Sequence, residues 1–186
     1  AACALAIARS WPGVRIAIGE KESTENLEVS AAALRAAGAA PLCLVGDLAD
    51  PQTPARLIEQ AVKEFGGLDA VVSNAGLTGP GPLADLELQE FDKLMNVNLR
   101  AAWLLAKAAY SPLKLSKGSL TGIASTAGVL PYAGMGAYST SKAGLIMLLR
   151  QLAQEWAPDG IRVNSVSPGM VRTPLSEVVY QDETLK

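Results

Sequence analysis

Residues 119–142 read SLTGIASTAGVLPYAGMGAYSTSK, and this stretch decides the fold class. It begins with a short apolar run, passes through a turn rich in small residues, and enters a long helical pattern. A buried strand followed by a helix is the repeating unit of a parallel sheet. The stretch therefore predicts one strand-helix unit of an α/β protein.

The rest of the chain repeats this unit in both directions. Strands are predicted at residues 14–18, 42–45, 70–73, 119–123 and 162–166. Helices are predicted at residues 24–37, 53–65, 87–110 and 138–157, and residues 1–10 read as the body of an earlier helix. Continuously apolar strands are typical of a sheet that is buried on both faces. The pattern predicts a doubly wound parallel sheet of the Rossmann type, in three α/β/α layers.

Composition narrows the class of protein. The chain has 186 residues, of which 49% are hydrophobic, and a net charge of -2, so residues 1–186 can form a single domain with a sizeable core. The acidic balance gives no reason to expect a nucleic acid or a membrane surface as partner. No apolar run is long enough to span a bilayer, and the first residues lack the features of a signal peptide. We expect a cytoplasmic protein.

Residue types that are scarce or absent exclude some chemistry. The chain has no histidine, which removes the usual general base of Ser-His-Asp hydrolases and the commonest zinc ligand. We therefore expect no metal site. Cys3 and Cys43 fall in a predicted helix and a predicted strand, so a disulfide framework has no support and a reducing compartment is expected.

Tyr138 and Lys142 carry the strongest chemical signal. Their spacing of four residues on a helix places the phenol and the ammonium on one face. A cation so placed favours the phenolate form, and such a tyrosine can exchange a proton with a carbonyl oxygen or an alcohol. Taken alone, a tyrosine and a lysine at this spacing are about ten times more often part of a solvated helix face than of a reactive site.

Other polar or small residues follow two of the predicted strands. Ser125 comes after the strand at 119–123, at the sheet edge where ligands of open α/β sheets bind. Asn74 and Gly76 come after the strand at 70–73 and allow a tight turn beside a ligand. Taken singly, each of these residues also fits an ordinary turn at the end of a strand.

Together these residues resemble the classical short-chain dehydrogenase/reductase family. The matching residues, in chain order, are Asn74-Ala75-Gly76, Asn98, Ser125, Tyr138 with Lys142, and Pro168-Gly169 followed by Thr173. The resemblance extends from the first helix to about Thr173. It implies an NAD(P)-dependent oxidoreductase that transfers a hydride between the cofactor and a secondary alcohol or ketone.

The resemblance also implies a role for each site residue. Tyr138 would be the acid/base, Lys142 would favour its phenolate and hold the nicotinamide ribose, and Ser125 would orient the substrate oxygen. Asn98 would position a water on the proton relay to Lys142. The cofactor would be bound by Glu20, Asp47, Leu48, Asn74, Ala75, Gly76, Tyr138, Lys142, Pro168, Gly169 and Thr173. Within that set, Asp47 would contact the adenine and Thr173 the carboxamide, although Asp47 alone also fits a helix cap.

Glu20 bears on the choice between NAD and NADP. It follows the first predicted strand by two residues, at a point where a carboxylate hydrogen-bonds a ribose 2′-hydroxyl and repels a 2′-phosphate. The neighbouring Lys21 is a cation that could accept such a phosphate. On the position of Glu20 we favour NAD over NADP.

The sequence departs from the family at both ends. A complete member begins with a strand and a Gly-rich turn that opens the first helix, and it continues well beyond Thr173. We expect the domain to be incomplete at both ends, either within a longer polypeptide or in a truncated protein without enzymatic function. In the doubly wound strand order the absent strand belongs between residues 14–18 and 70–73, which should therefore not pair and should lie roughly 9 to 10 Å apart.

Two other functions stay open. One is a sugar-nucleotide epimerase or dehydratase of the extended branch, which shares the tyrosine and lysine. The other is a non-catalytic binding or scaffold protein with the same fold. The resemblance implies a homodimer or homotetramer, and the helix at 138–157, apolar on nearly all sides, fits either packing within the domain or a subunit interface.

Overall fold

The computed structural model of the chain describes residues 2–22, 24–79 and 81–173. Within these residues the strands are β1 Arg15–Glu20, β2 Ala40–Val45, β3 Ala70–Ser73, β4 Ser119–Ile123 and β5 Arg162–Val166. The helices are α1 Ala2–Ser10, α2 Thr24–Ala36, α3 Thr53–Phe65, α4 Leu88–Met95, α5 Ala101–Ser116 and α6 Gly136–Trp156. Helices separate the strands along the chain, and every pairing in the described part is parallel. The predicted α/β class is confirmed.

The strands form two groups. β1 pairs with β2, while β3, β4 and β5 pair side by side in that order. In the described ranges no ladder joins β1 to β3, as predicted for residues 14–18 and 70–73. The carboxyl ends of β3, β4 and β5 share one edge, because Ser73 is in register with Gly122 and Gly122 with Ser165.

The core lies mainly between the second strand group and three helices. Leu113 of α5, Leu120 of β4 and Leu145 of α6 are all at most 2% exposed. Burying a leucine side chain of this kind stabilises the fold by roughly 1.5 to 3 kcal/mol. A smaller cluster, centred on Ala8 and Leu34, joins α1 and α2 to β1. Helices α3, α5 and α6 therefore pack on β3 to β5, while α1 and α2 pack on β1, and α2 also contacts β2.

Much of the apolar surface of helix α6 is buried within the domain. Its residues Leu145, Ile146, Leu149, Leu152 and Trp156 are buried in the core of the domain. Packing within the domain therefore explains most of its apolar surface. On the other side of the helix Met147 is 59% exposed.

The helix predicted at 87–110 differs from the observed one. The chain forms α4, then a π-helical segment at Asn96–Arg100, then α5, which continues to Ser116. The predicted end of the helix at residue 110 was wrong, because the observed helix runs on through Pro112 to Ser116. Proline lacks the N–H that an interior helix position donates. The helix continues because Leu113, one residue later, is completely buried.

The described residues hold neither a membrane-spanning helix nor a cluster of metal-ligating side chains. None of the helices in this part of the chain has the length and apolar character needed to cross a bilayer. In the same residues no three or more His, Cys, Asp or Glu side chains come together in a way that could hold a metal ion. Cys3 and Cys43 are both free thiols.

Candidate active site

Three loops meet at the carboxyl edge of β3, β4 and β5. The backbone N–H of Ala124 donates to the Val166 carbonyl at 2.8 Å, and that of Thr126 donates to the Pro168 carbonyl at 2.9 Å. These bonds hold the loop that follows β4 against the loop that follows β5. Of the residues predicted at the site, Ser125 lies on the first loop and Pro168 and Gly169 lie on the second.

Lys142 is a buried cation beside Tyr138. Its side chain is 4% exposed, and its Nζ lies 5.8 Å from the centroid of the Tyr138 ring. Nζ donates a hydrogen bond to the Ile123 carbonyl at 2.8 Å. Burial lowers the pKa of Lys142 from its usual value of 10.5, because the charged form loses hydration. The lysine is thus anchored to the end of β4 and directed to the same site as Tyr138.

Gly76 lies between Lys142 and Asn98. A Cβ placed on Gly76 would be 3.3 Å from Nζ of Lys142 and 3.3 Å from Oδ1 of Asn98. Both contacts are tighter than ordinary van der Waals separation, so the absence of a side chain at this position keeps the space open. The geometry brings three predicted site residues together, on three different elements of the chain.

Asn98 is held in the π-helical segment and is 1% exposed. Its Oδ1 accepts from the Leu77 N–H at 2.8 Å, and its Nδ2 donates to the Leu77 carbonyl at 2.9 Å. Nδ2 also donates to Oγ of Ser141 at 3.0 Å. The amide therefore clamps the turn that follows β3. Single-turn π-helical bulges occur often at functional sites.

Ser125 caps a short 3₁₀ turn at Thr126–Gly128. Its Oγ accepts from the Ala127 N–H at 3.1 Å, a capping bond that uses one lone pair of the oxygen. The hydroxyl hydrogen is not consumed by that bond and can be donated to a ligand oxygen. The extended backbone of Ser125, with φ -165° and ψ 153°, starts this turn directly after the strand.

Gly128 sets the spacing between this turn and helix α6. A Cβ on Gly128 would lie 2.7 Å from the backbone carbonyl carbon of Lys142 and 2.9 Å from the backbone N of Ala143. Only glycine permits this approach, because backbone atoms on α6 cannot rotate away. The turn that carries Ser125 therefore rests on the backbone of the helix that carries Tyr138 and Lys142.

A second group of predicted residues lies at the ends of β1 and β2. Oε1 of Glu20 accepts from the Lys21 N–H at 2.9 Å. The Lys21 ammonium lies 3.0 Å from a Glu22 carboxylate oxygen and 3.4 Å from one of Asp47. These two carboxylates raise the pKa of Lys21, with the Glu22 bond as the larger cause. The cation that could have accepted a 2′-phosphate is thus shared between two acidic neighbours.

Asp47 is positioned by the backbone that follows it. Its Oδ1 accepts from the Ala49 N–H at 2.9 Å, and this bond is the main cause of the lowered pKa of the Asp47 carboxyl. The carbonyl of Ala49 accepts from Arg100 at 2.7 Å, which links this loop to the π-helical segment. Leu48, between Asp47 and Ala49, is half-buried.

The remaining predicted residues surround the edge of the sheet. Asn74 and Ala75 follow β3 and are exposed, as is Gly169 after β5, while Pro168 is half-buried. Thr173 is exposed and is the last residue that the structure describes. The part that the described contacts join most closely comprises Gly76, Asn98, Ser125, Tyr138 and Lys142.

Ser141 belongs to the site, although the sequence did not single it out. Its Oγ donates to the Tyr138 carbonyl at 2.7 Å and accepts from Nδ2 of Asn98. Serine commonly bonds to a carbonyl three or four residues earlier on a helix. The spacing of Ser141 from Tyr138 was the signal that could have identified it. What the sequence could not supply is that Asn98 is the second partner.

Replacing Ser141 by alanine tests this arrangement through stability. The completely buried Oγ of Ser141 bonds both Asn98 and Tyr138, so we expect the free energy of unfolding to fall by about 1 to 3 kcal/mol. Urea unfolding would measure the change. Ser139→Ala is the matched control, because the buried Oγ of Ser139 has no hydrogen-bond partner among the described residues. Equal losses for the two variants would contradict the assigned network.

The chain is similar in sequence to a known protein family and to several of its members. The model of the family described as short chain dehydrogenase matches residues 2–184. Dehydrogenase/reductase SDR family member 4 of Oryctolagus cuniculus is 34% identical over 96% of this chain and 70% of that protein. The chain spans 64% and 66% of the length of the proteins with the same name from Bos taurus and Sus scrofa.

Solved structures show the same fold. An NADH-dependent reductase A1-R' complexed with NAD superposes with a TM-score of 0.85 at 27% identity, over 92% of this chain and 73% of that one. A short chain dehydrogenase from Burkholderia cenocepacia J2315 in complex with NADP gives a TM-score of 0.86 at 34% identity, over 93% and 71%. The predicted doubly wound, three-layer α/β/α fold of the Rossmann type is confirmed.

Proposed function

This chain belongs to the short-chain dehydrogenase family, and on that premise we propose that it transfers a hydride between NAD(P) and a secondary alcohol or ketone. The observation that carries the proposal is the buried ammonium of Lys142, 5.8 Å from the centre of the Tyr138 ring. A buried cation without a carboxylate partner is costly. A position beside a tyrosine at the open edge of a sheet gives this cation a chemical purpose.

The surroundings of Gly76 and Lys142 have the space and the hydrogen-bond donors that such a cofactor needs. A side chain at Gly76 would crowd the Lys142 ammonium, so glycine keeps the approach to Nζ open. An ammonium has three N–H donors, and within the described residues Nζ uses one, on the Ile123 carbonyl. Two donors are left for ribose hydroxyls, so the residues fit. The cofactor would lie against Asn74, Ala75, Gly76, Pro168, Gly169 and Thr173.

Side chains of this protein transfer the proton to and from the substrate oxygen. Bound at this edge, the nicotinamide would supply or accept the hydride. Tyr138 gives a proton to the carbonyl oxygen in reduction and takes one from the alcohol in oxidation. Lys142 favours the phenolate form of that tyrosine. Ser125 donates its free hydroxyl hydrogen to the same substrate oxygen and so orients it.

Besides the water-positioning role that the family resemblance implies, we propose that Asn98 has a second, structural role. Its amide is occupied by Leu77 and Ser141, so in our proposal the amide positions the turn after β3 and the start of α6. The structural role of Asn98 is therefore to keep Gly76 and Lys142 at their observed separation.

The direct test follows the hydride itself. The full-length protein is incubated with NADH or NADPH deuterated at the transferable position and a panel of ketones, and the products are analysed by mass spectrometry. We expect deuterium on the carbinol carbon. A tightly held cofactor that turns over without net product would contradict the proposal and favour the sugar-nucleotide epimerase. Absence of cofactor binding by calorimetry would favour a scaffold protein.

Cofactor preference is proposed to be NAD. The carboxylate of Glu20 lies at the end of β1, and the neighbouring Lys21 is already paired with Glu22 and Asp47. Replacing Glu20 by alanine is expected to weaken NAD binding by about 1 to 2 kcal/mol, the scale of one lost hydrogen bond to a charged group. NADP binding should improve or stay level.

Calorimetric titration of the full-length protein with each cofactor measures both affinities. Glu25→Ala is the control, because Glu25 is an exposed carboxylate in the first turn of α2. If Glu20→Ala leaves the affinity for NAD unchanged, Glu20 does not face the ribose.

A further inference from the structure

The loops around Tyr138 are almost free of charge. Apart from Asp85 and Arg172 at their ends, they carry no charged side chain. In the sequence, no Asp, Glu, Lys or Arg lies between Asp69 and Asp85, between Lys117 and Lys142, or between Arg162 and Arg172. These intervals contain the three loops at the carboxyl edge of β3, β4 and β5. A substrate that reaches the site therefore meets a largely uncharged surface.

Large apolar side chains stand exposed on the same loops. We call four of them the apolar rim: Leu83 is 59% exposed, Val129 64%, Leu130 58% and Tyr132 49%. Val129, Leu130 and Tyr132 lie on the segment that connects Ser125 to Tyr138. Isolated apolar side chains on a surface need no explanation, whereas a cluster beside a reactive group indicates a binding surface.

Backbone contacts fix the rim next to the reactive groups. The N–H groups of Val129 and Leu130 both donate to the Thr126 carbonyl at 2.9 Å, one residue after Ser125. A Cβ on Gly136 would lie 3.4 Å from Cδ2 of Leu83, and Gly136 is two residues before Tyr138.

The two parts of the rim are also joined to each other. The Gly81 N–H donates to the Gly134 carbonyl at 2.7 Å, which ties the loop that carries Leu83 to the segment that carries Tyr132. The backbone therefore holds the two segments that carry the rim next to each other.

From this surface we infer that the substrate is a neutral ketone or secondary alcohol with an apolar substituent, which packs on the apolar rim. The inference rests on the proposed function and names its substrate class. An apolar group gains from leaving water at the rim. A carboxylate in the same place would lose hydration, and none of the four rim residues carries a cation that could pair with it.

Two charged groups at the ends of these loops bear on the inference. Asp85 is exposed two residues after Leu83 and would repel an anionic substrate. Arg172 is exposed after β5, and its positive charge would favour an anionic substrate. The two charges act in opposite directions, so the apolar rim is expected to decide the preference.

Two measurements on the full-length protein test the inference. The first is kcat/KM for straight-chain methyl ketones of increasing length, with an expected rise of about two- to fourfold per added methylene. The second compares 5-oxohexanoate with its methyl ester, which differ at one end in charge. The ester is expected to be turned over at least about tenfold more efficiently. A preference for the acid, or no dependence on chain length, would overturn the inference.

A rim variant makes the assignment specific to these residues. Leu83→Arg is expected to reduce the preference for the ester by about tenfold or to reverse it, since it places a cation at the rim. Leu115→Arg is the matched control, because Leu115 is 88% exposed at the far end of α5 and should leave the preference unchanged. The same shift in both variants would count against the rim.

Failure of the proposed function can be distinguished from failure of this inference. If no carbonyl compound is reduced, the oxidoreductase proposal fails, and binding of the ester and the acid is then compared by saturation-transfer NMR. Tighter binding of the ester that Leu83→Arg abolishes would still support an apolar ligand site. Equal or tighter binding of the acid would overturn it.

Discussion

Tyr138→Phe in the full-length protein is expected to lower NAD(P)H-linked turnover by a hundred- to ten-thousandfold, on the order that a positioned general acid contributes. The change removes one oxygen and keeps the ring that lies 5.8 Å from the Lys142 ammonium. Binding of the cofactor and the fold should therefore change little. Steady-state kinetics together with calorimetric titration would separate the loss of chemistry from a loss of binding.

The chain provides a matched control for this experiment. Tyr110 and Lys114 repeat the same spacing, and Nζ of Lys114 lies 5.7 Å from the centroid of the Tyr110 ring. The hydroxyl of Tyr110 donates to Asp159, and its ring packs against Trp156 with centroids 5.2 Å apart. Tyr110→Phe should cost stability and leave turnover unchanged. Full activity of Tyr138→Phe would remove Tyr138 from the mechanism.

Lys142→Met is expected to have opposite effects on activity and on stability. Turnover should fall by about a hundredfold or more, because the cation that favours the phenolate and would hold the cofactor is lost. The free energy of unfolding at neutral pH should rise on the order of 1 kcal/mol, since an apolar side chain replaces a buried charge. Denaturant unfolding and steady-state kinetics on the same preparation would measure both.

The stability gain should depend on pH in a defined direction. Burial lowers the pKa of Lys142 below its usual value of 10.5, so the folded protein releases this proton at a lower pH than the unfolded chain does. Between the lowered pKa and 10.5 the unfolded chain binds more protons, and the stability of the unaltered protein therefore rises with pH in this window. The advantage of methionine should shrink across the same window.

Lys114→Met is the control, and its expected effect on stability is the reverse. The Lys114 ammonium lies 2.7 Å from the Asp159 carboxylate, and this bond raises the pKa of Lys114. Its removal should lower stability and leave turnover intact. If Lys142→Met proves less stable than the unaltered protein at all pH values, then Lys142 is a structural cation. Its proposed role beside Tyr138 would then be wrong.

These two pairs show where prediction from the sequence reaches its limit. Tyr138 with Lys142 and Tyr110 with Lys114 have the same spacing and nearly the same ring-to-ammonium distance. Spacing alone therefore could not single out one pair as the candidate for catalysis. The difference lies in tertiary contacts, because Lys114 is half exposed and paired with Asp159, whereas Lys142 is buried. The resemblance of the surrounding residues is what favours Tyr138 with Lys142.

The fold was more accessible to sequence reasoning than the contacts within the site. All five predicted strands were found, and the largest error at a strand end is two residues, as at Glu20, where β1 extends further than predicted. Apolar runs determine such strands locally. The π-helical segment around Asn98 and the continuation of α5 past Pro112 depend on what those residues contact in the folded chain, so no local pattern could reveal them.

The contact of Gly128 with the backbone of α6 has an evolutionary consequence. Core side chains such as Leu145 and Leu149 can change as sequences diverge, but every sequence keeps the same backbone atoms. The separation of Ser125 from the helix that carries Tyr138 is set by such atoms, so it can be inherited through extensive change in the core. That tolerance has one condition, because lineages that retain this geometry must also retain a glycine at this position.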